Sequence, residues 1–383
     1  MLGSSFFWVF AILVPVAGSL GDVLSRKNLI VLALLLWSTA TFLSGLVGGF
    51  ALLLVFRALT GTGEAFYYPA ANSMISDYHG QPTRALAMGV HQTSVYLGII
   101  VSGTLAGYIG QKYGWRWAFL SFGVAGILVA LAAWRLLREP GRGQSDLAEI
   151  REEIAAPQEL PLWNRIVESF HSPTALVFMA AFMGMKLVDA AYLTWMPTLL
   201  YRKFSMTLAG AGFHATFWHH AGAMLGVLLG GRTADRLALR SRVSRPAVQV
   251  AGLLLGAPFI FLLGWSTSTW VVFASLGLFG IFRGLYDSNL FASLYEVVRP
   301  EARATATGVM IAVAFLGGGC SPLLIGWLSG HTNLGLALAS TSAFYVAAGL
   351  LIWFDCRLWF RRDAARMRAA AFGAVENVQP KFT

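Results

Sequence analysis

Apolar residues along the chain form eleven blocks of about 20 residues or more, separated by short segments that hold most of the charged residues. A helix of about 20 residues crosses the hydrocarbon core of a bilayer. Lipid offers no hydrogen-bond partners to an open backbone, so blocks of this length predict transmembrane helices and an all-α polytopic membrane protein. The predicted spans are 3–20, 29–49, 50–76, 84–110, 116–137, 173–201, 207–233, 246–266, 269–297, 303–329 and 334–358.

The composition supports the same class. Charged residues make up 12% of the 383 residues, against roughly 25% in soluble domains, and the mean hydropathy is +0.64. The net charge of +10 does not indicate a nucleic-acid partner, because the cations concentrate in alternate loops. Cys320 and Cys356 lie in or beside apolar blocks and suggest neither a disulfide framework nor a metal site. We expect no metal and no cofactor.

The distribution of loop cations predicts the orientation of the chain, because cytoplasmic loops carry an excess of Lys and Arg. The loops alternate between cation-rich and cation-poor, and the cation-poor loops hold chiefly Lys112, Arg202 and Lys203. The C-terminus is therefore predicted to be cytoplasmic, in the inner membrane, and eleven spans place the N-terminus outside. The cation-rich loops contain Arg26, Lys27, Arg84, the stretch 138–172, Arg236, Arg240, Arg242, Arg245, Arg299, Arg303 and the tail 361–368.

The polar stretch between the fifth and sixth spans predicts two bundles joined by a linker. Its segments 147–154 and 162–170 read as short surface helices. The predicted organisation is an N-terminal bundle at 1–137, a cytoplasmic linker at 138–172, a C-terminal bundle at 173–358 and a basic cytoplasmic tail at 359–383.

Two motifs occur once in each bundle, which indicates an internal repeat. One is a glycine followed four positions later by an aspartate and then by basic residues; the other begins with arginine and ends with glycine five positions later. The second motif recurs after 219 residues, and a further glycine follows it in both copies, at Gly98 and Gly317. The copies are Gly18 to Asp22 with Gly231 to Asp235, and 84–89 with 303–308.

The run 18–27 closely resembles the signature loop of the major facilitator superfamily, between that family's second and third helices. The resemblance implies two pseudo-repeated bundles, transport by alternating access, and a gating role for the motif charges. A solvated turn that merely obeys the positive-inside rule is the alternative reading. The residues expected to gate are Gly18, Asp22, Arg26, Asp77, Arg84, Asp235, Arg236 and Arg303.

The runs 57–65, 68–72 and 114–119 are similar to the anion:cation symporter branch of that superfamily, which carries organic acids with protons or sodium. The family's fifth helix has a Gly-Pro run in antiporters, and 96–107 contains no proline, which favours symport or uniport. The resemblance implies a monomer in the bilayer that transports a small organic anion, a sugar acid or carboxylate, with a proton or alternatively with sodium. A non-transporting remnant or sensor is the rival hypothesis; no catalytic arrangement indicates an enzyme.

Counted from the signature loop, the chain begins at the second helix of the family. We therefore expect that the first family helix is missing because the reading frame starts at an internal methionine, or that the protein is an eleven-helix form.

Ionisable residues at membrane depth are costly, so they predict a cavity or a buried partner. Arg57 and Glu64 lie two helical turns apart on one face, and the 219-residue offset relates Glu64 to Arg283. An arginine grips a carboxylate through two hydrogen bonds, so Arg283 is predicted to bind the anion. Glu64 is predicted either to carry the coupling proton or to form a structural ion pair.

The remaining predicted site residues lie on the same family helices. Lys186 and Asp189 are three apart and could neutralise each other, and a histidine group on the eighth family helix could shuttle protons rather than bind metal. The residues expected to bind substrate are Arg57, Tyr68, His91, Gln92, Tyr96, Lys186, His214, Arg283 and Asn289. Those expected to couple protons are Glu64, Asp189 and Asp287.

Overall fold

The computed structural model describes residues 1–79, 81–140, 162–238, 243–299 and 302–367, and within these ranges every regular element is a helix. The first group of helices is α1 (Leu2–Val23), α2 (Arg26–Leu46), α3 (Phe50–Tyr78), α4 (Gln81–Tyr113) and α5 (Trp115–Leu136). After the linker come α6 (Leu162–Ser169), α7 (Pro173–Lys203), α8 (Leu208–Ala238), α9 (Ser244–Trp265), α10 (Thr269–Asp287), α11 (Leu290–Tyr295), α12 (Arg303–His331), α13 (Leu334–Ser340) and α14 (Ser342–Leu358).

Length and hydropathy qualify nine segments of the described residues as membrane spans. The stretch Leu2–Ala17 of α1 is apolar but shorter, and α8 is not among the nine. In the described residues each of the eleven predicted spans is helical, either as one helix or as two consecutive helices, which confirms a helical protein with many membrane-spanning segments. The number eleven itself stays a prediction.

Two predicted spans are each divided into two helices. The span 269–297 breaks at Ser288 and Asn289, where the Ser288 hydroxyl and the Asn289 amide donate to Leu285 O at 3.0 and 3.3 Å. The span 334–358 breaks at Thr341, whose hydroxyl donates to Leu338 O at 2.6 Å. Short polar side chains that bond to the nearby backbone compete with the helical ladder, and hydropathy does not reveal this competition.

The predicted linker helices have different outcomes. The segment 162–170 corresponds to α6, whereas 147–154 lies outside the described residues. We call the end of the molecule where α5 ends and α7 begins the linker side, and the opposite end the far side. The sequence predicts that the linker side is cytoplasmic.

The helices pack as two groups that touch through two pairs. In the first group α3 packs on α1 and α2, and α2 packs on α5; in the second, α10 packs on α8 and α9, and α12 packs on α7. The two groups meet where α4 packs on α8 and α1 packs on α12. The most extensive buried core lies in the second group, around residues such as Phe178, Phe279 and Tyr345.

The start of α2 on the linker side is fixed by Glu139, which follows α5. The Glu139 carboxylate accepts hydrogen bonds from Ser25 Oγ at 2.7 Å, from Lys27 N at 2.7 Å and from Arg26 N at 3.1 Å. Partial burial pushes the pKa of Glu139 up, but these hydrogen bonds and the charge of Arg26 push it down further, so the pKa is lowered from its ordinary value.

Candidate functional site

Four charged residues from two helices of the second group meet inside the molecule, and we call them the Arg283 cluster: Lys186, Asp189, Arg283 and Asp287. Arg283 is 8% exposed; its Nη1 forms an ion pair with Asp189 Oδ1, and its Nε donates to Asp287 Oδ2 at 3.2 Å. Lys186 Nζ donates to the other Asp189 oxygen, Oδ2, at 2.9 Å. When all four are ionised, the two cations balance the two carboxylates.

Local helix geometry explains two of these contacts. Lys186 and Asp189 are three residues apart on α7, and Arg283 and Asp287 are four apart on α10, so each pair shares a helix face. Packing between helices supplies the third contact, because Asp189 and Arg283 are far apart in the sequence. The cluster is thus a bridge between α7 and α10.

His219 on α8 completes the surroundings of Arg283. Its Nε2 lies 2.9 Å from Arg283 Nη1, and because a guanidinium only donates, Nε2 accepts and the ring hydrogen of the neutral histidine resides on Nδ1. The ring is fully buried, with the centroids of Tyr192 and Phe279 at 4.7 and 4.6 Å. His219 therefore positions the guanidinium.

Glycine on α10 brings His219 to this place. A Cβ at Gly280 would overlap the carbonyl oxygen of His219 and lie 3.0 Å from Ala223 N. Helices with glycine at the contact approach until their backbones touch, which sets the α8–α10 distance. The sequence places His219 only within a histidine group on α8 and does not single it out; the packing glycine, Gly280, is the signal that could have selected it.

Tyr96 connects the cluster region to the first group of helices. Its ring on α4 is 9% exposed, and its centroid lies 5.6 Å from that of His220 on α8. His220 Nδ1 is 2.7 Å from Thr216 O, which orients the imidazole toward this boundary. The charged cluster of one half therefore lies close to polar aromatic groups of the other half.

The guanidinium of Arg283 retains binding capacity. The described hydrogen bonds use Nε and Nη1, and none of them uses Nη2. A planar guanidinium can present two parallel donors to a carboxylate, so an anion that reaches Arg283 could share or replace Asp189. Chemically, the site can exchange an internal carboxylate for an external one.

Glu64 and Arg57 lie in the first group, away from the Arg283 cluster contacts. Glu64 is exposed on α3, and Tyr68, one turn further along, is half-buried. Arg57 places its guanidinium carbon 5.9 Å from the ring centroid of Phe6 on α1. The described ion pairs do not include one between Arg57 and Glu64, so the two residues share a helix face without neutralising each other directly.

Four further predicted substrate residues lie outside the Arg283 cluster. His91 Nε2 lies 3.3 Å from Tyr67 Oη within the first group. His214 Nδ1 accepts from Trp218 Nε1 at 3.0 Å, and its ring stacks on Phe273 with centroids 4.2 Å apart. Buried Asn289 bonds at the α10–α11 break described above, and Gln92 is half-buried on α4. None of these contacts links them to the Arg283 cluster, and their part in binding stays a prediction.

The predicted gate charges are only partly described. Arg26 and Asp77 form an ion pair on the linker side, with side chains that are 6% and 11% exposed, and Arg236 is exposed. The surroundings of Gly18 and the side chains of Asp22, Arg84, Asp235 and Arg303 lie outside what the structure describes. A gating role for these residues remains a prediction.

Small residues close the contact between the two halves on the far side. A Cβ at Gly103 would lie 2.9 Å from Thr216 Cγ2, and a Cβ at Gly107 would overlap Leu208 O and lie 2.8 Å from Ala209 Cα. At the other contact between the halves, Trp8 on α1 donates to Leu316 O on α12 at 3.2 Å. On the far side, α4 and α8 are thus in backbone contact.

No group of three or more His, Cys, Asp or Glu side chains that could hold a metal ion occurs among the described residues.

The sequence matches the family model described as Major Facilitator Superfamily over residues 1–245 and 215–375. It is 26% identical to the probable galactarate/D-glucarate transporter GudP of Bacillus subtilis over 354 residues, 86% of this chain and 77% of that protein. It is 25% identical to the D-galactonate transporter of Escherichia coli over 368 residues, 91% of this chain and 84% of that protein. It is also 28% identical to the mouse sphingosine-1-phosphate transporter SPNS2 over 398 residues, 96% of this chain and 71% of that protein.

A solved structure shows the same fold. It is a bacterial homologue of the human lysosomal transporter Spinster in an inward-facing, unoccupied conformation, with a TM-score of 0.72 and 23% identity. The match covers 95% of this chain and 90% of that chain.

Proposed function

Because this chain belongs to the major facilitator superfamily and is a multi-pass membrane protein, we propose that it is a secondary active transporter of a small organic anion of the sugar-acid or carboxylate class. It works by alternating access, with a proton as the co-transported ion, and resides in the inner membrane with a cytoplasmic C-terminus. Relatives named for galactarate, D-glucarate, D-galactonate and hexuronate support the substrate class.

One observation carries this proposal: a buried arginine, Arg283, is held between Asp189 and Asp287 inside the helical bundle. Removing a charge from water costs several kcal/mol, and a buried ion pair recovers this cost only with well-placed partners. An arginine that is supported in this way and keeps an unused donor nitrogen is suited to bind a carboxylate. Lys186 supplies a second cation on the same aspartate.

The charge balance of the Arg283 cluster favours proton coupling. The ionised cluster is neutral, so an anionic substrate that enters alone leaves one uncompensated negative charge at membrane depth, which is unfavourable. A proton that binds Asp189, Asp287 or Glu64 removes this charge. Substrate and proton then load together, which is symport.

The far-side contact between α4 and α8 represents one end state of the transport cycle. With the halves in backbone contact there, the substrate reaches Arg283 from the linker side. Separation of these helices and closure of the linker side would give the opposite state, with Asp22, Arg26, Asp77 and the equivalent charges of the second half as gate residues.

The relationship to SPNS2 supports a second substrate class, phosphorylated amphipathic lipids. Both classes present an anionic group to Arg283 and differ in the part that follows it. A sugar acid needs hydrogen-bonding side chains, whereas a lipid needs an apolar path out of the cavity.

Uptake by proteoliposomes tests the proposal and separates the two classes. The purified chain is reconstituted, and radiolabelled D-glucarate, D-galactonate and a hexuronate are offered with and without an imposed pH gradient; sphingosine 1-phosphate is offered in parallel. Accumulation of a sugar acid that collapses with a protonophore supports proton symport. Accumulation that follows a sodium gradient, uptake without accumulation, or no uptake of any anion would contradict it, and the last result would favour a non-transporting protein.

A further inference from the structure

A cavity of about 650 Å³ opens on the far side of the second half, away from the Arg283 cluster. It lies between the end of α7, the end of α9 and the start of α13. Neither the transport mechanism nor the sequence motifs use it. Its lining combines cations, neutral polar groups and apolar side chains.

The charge of this cavity is positive. Arg202 and Lys203 at the end of α7 line it, and its lining residues include no carboxylate. Lys203 Nζ donates to Gly264 O at 2.7 Å, which holds the ammonium at the wall and leaves two of its three hydrogens for another partner. Two cations in a concave, partly apolar surface concentrate anions from solution or from the membrane surface.

Capping of helix ends explains only part of this arrangement. Cations near a helix C-terminus interact favourably with its dipole, and Lys203 satisfies a carbonyl in the last turn of α9. That role requires no cavity and no second cation. Arg202, together with the concave space beside it, remains available for a ligand.

The cavity is also amphipathic. Leu199, 2% exposed, forms part of its base, and the side chains of Trp265 and Leu336 line it while remaining 60% and 39% exposed. Thr267 adds a hydroxyl, and Asn333 an amide whose Oδ1 accepts from Leu336 N at 2.9 Å, so that its nitrogen remains a donor. A ligand that fits both surfaces has an anionic polar head and an apolar body.

The depth of the cavity identifies the source of such a ligand. Three candidate membrane spans end or begin at its rim: Pro173–Lys203, Ser244–Trp265 and Leu334–Leu358. Exposed tryptophan is typical of the membrane–water boundary, and Trp265 lies in the lining. Phosphates of the bilayer are the anions held at that depth, with acyl chains directly beneath them.

We propose that this cavity binds the headgroup of an anionic phospholipid from the far-side leaflet. Arg202 and Lys203 pair with the phosphate oxygens, Thr267 and Asn333 bond to the glycerol headgroup, and Trp265 and Leu336 contact the acyl chains. The bound lipid would hold the ends of α7, α9 and α13 together. The shared chemistry is a phosphate anion, and the acyl chains distinguish a lipid from free phosphate.

Binding is measured on the purified full chain by native mass spectrometry and by thermal shift, with phosphatidylglycerol titrated against phosphatidylcholine. The double variant Arg202→Gln/Lys203→Gln is expected to lose about tenfold or more in affinity for phosphatidylglycerol, since charge-assisted hydrogen bonds are lost. Phosphatidylcholine binding should not change. Thr267→Trp, which fills the cavity but keeps both cations, should weaken phosphatidylglycerol binding as well.

The matched control is Lys112→Gln, which removes a far-side cation at the end of α4 that lies 5.3 Å from the Tyr113 ring and outside the cavity. It should bind phosphatidylglycerol like the wild type. Equal binding of both lipids by the wild type, or an equal loss in Lys112→Gln, overturns the proposal. If inorganic phosphate at millimolar concentration stabilises the chain as much as phosphatidylglycerol does, the site is for a free anion and the lipid assignment is wrong. If the double variant fails to fold, Thr267→Trp decides alone.

Discussion

Asp189 on α7 pairs with two cations, one at each carboxylate oxygen. Oδ1 contacts Arg283 of α10, and Oδ2 contacts Lys186 of the same helix as Asp189. The aspartate therefore links two helices and fixes both cations at once. Under the proposed function, a substrate carboxylate that bound Arg283 would compete with Asp189 for the same donors. The aspartate would then take the place of the substrate when the site is empty.

The first prediction concerns the shape of the cation. Arg283→Lys keeps the charge but replaces the guanidinium fork by a point charge, which cannot hold Asp189, Asp287 and a substrate in the same geometry. We expect binding of the transported sugar acid to weaken about tenfold or more, because charge-assisted hydrogen bonds are lost. Scintillation proximity with the radiolabelled substrate measures the affinity directly.

Arg116→Lys is the matched control, because Arg116 donates from Nη2 to Val47 O at 3.3 Å at the far end of the first group. Its affinity should equal that of the wild type. Wild-type affinity in Arg283→Lys would show that the guanidinium serves the fold and not the substrate.

The contacts within one helix of the Arg283 cluster could be predicted from sequence, whereas those between helices could not. The spacings of Lys186 with Asp189 and of Arg283 with Asp287 are those of helical neighbours, and both pairs are observed. The contact of Asp189 with Arg283 depends on how α7 faces α10, which periodicity does not specify. For the same reason the sequence does not specify the contacts of His214 with Trp218 and Phe273, and its predicted part in substrate binding stays a prediction.

The internal repeat in the sequence does not extend to the surroundings of every repeated residue. Gly98 and Gly317 occupy equivalent positions, yet a Cβ at Gly317 would overlap Met183 of α7 and one at Gly98 has no neighbour within 4 Å. Within the described residues, the first half has no helix placed against α4 as α7 is placed against α12. Equivalent sequence positions therefore have different surroundings where the neighbouring helices differ.

A second prediction concerns closure on the far side. In Gly107→Ala the new methyl group would collide with the backbone of Leu208 and Ala209, so α4 and α8 could not keep their present distance. Overpacking of this kind costs about 1–3 kcal/mol, which would shift the population toward the state open on the far side by about tenfold. Spin labels at positions 112 and 202, in a background without Cys320 and Cys356, should report a longer distance.

Gly110→Ala provides the comparison on the same helix, since a Cβ at Gly110 meets no heavy atom within 4 Å. Its label distances should match those of the parent protein. Identical distance distributions for Gly107→Ala and Gly110→Ala would mean that the far-side contact does not limit closure.

A third prediction follows from the cap on α2. The pKa of Glu139 is lowered from its ordinary value of 4.5, so its stabilising contribution is present above that value and disappears as the pH falls through the lower folded value. Glu139→Gln keeps an acceptor but loses the charge. We expect its unfolding temperature to lie below that of the wild type at pH 7 and the difference to shrink as the pH falls below 4.5.

Thermal unfolding in detergent at pH 7, 5, 4 and 3 measures this convergence. Glu296→Gln is the control. The Oε1 atom of Glu296 lies 3.9 Å from Nη1 of Arg245, so this carboxylate pairs with a side chain and does not cap the start of a helix. A constant difference between Glu139→Gln and wild type at every pH would show that the carboxylate charge does not stabilise α2.

The last prediction assigns the coupling proton. Glu64 lies 219 residues before Arg283, so the two repeats place a carboxylate and a guanidinium cation at equivalent sequence positions of α3 and α10. Glu64 is exposed in the helical bundle and has no described ion pair with Arg57, which leaves its carboxylate accessible to a proton. If this proton neutralises the charge that the substrate brings, Glu64→Gln, which mimics the protonated acid, should bind and exchange substrate normally but lose accumulation driven by a pH gradient.

Counterflow and gradient-driven uptake in the same proteoliposomes separate the two activities, with Glu139→Gln as a variant that should keep both. Accumulation by Glu64→Gln at the wild-type level would make Glu64 structural and move the proton to Asp189 or Asp287, where Asp287→Asn is the variant to measure next, since it leaves the link between Asp189 and Arg283 in place.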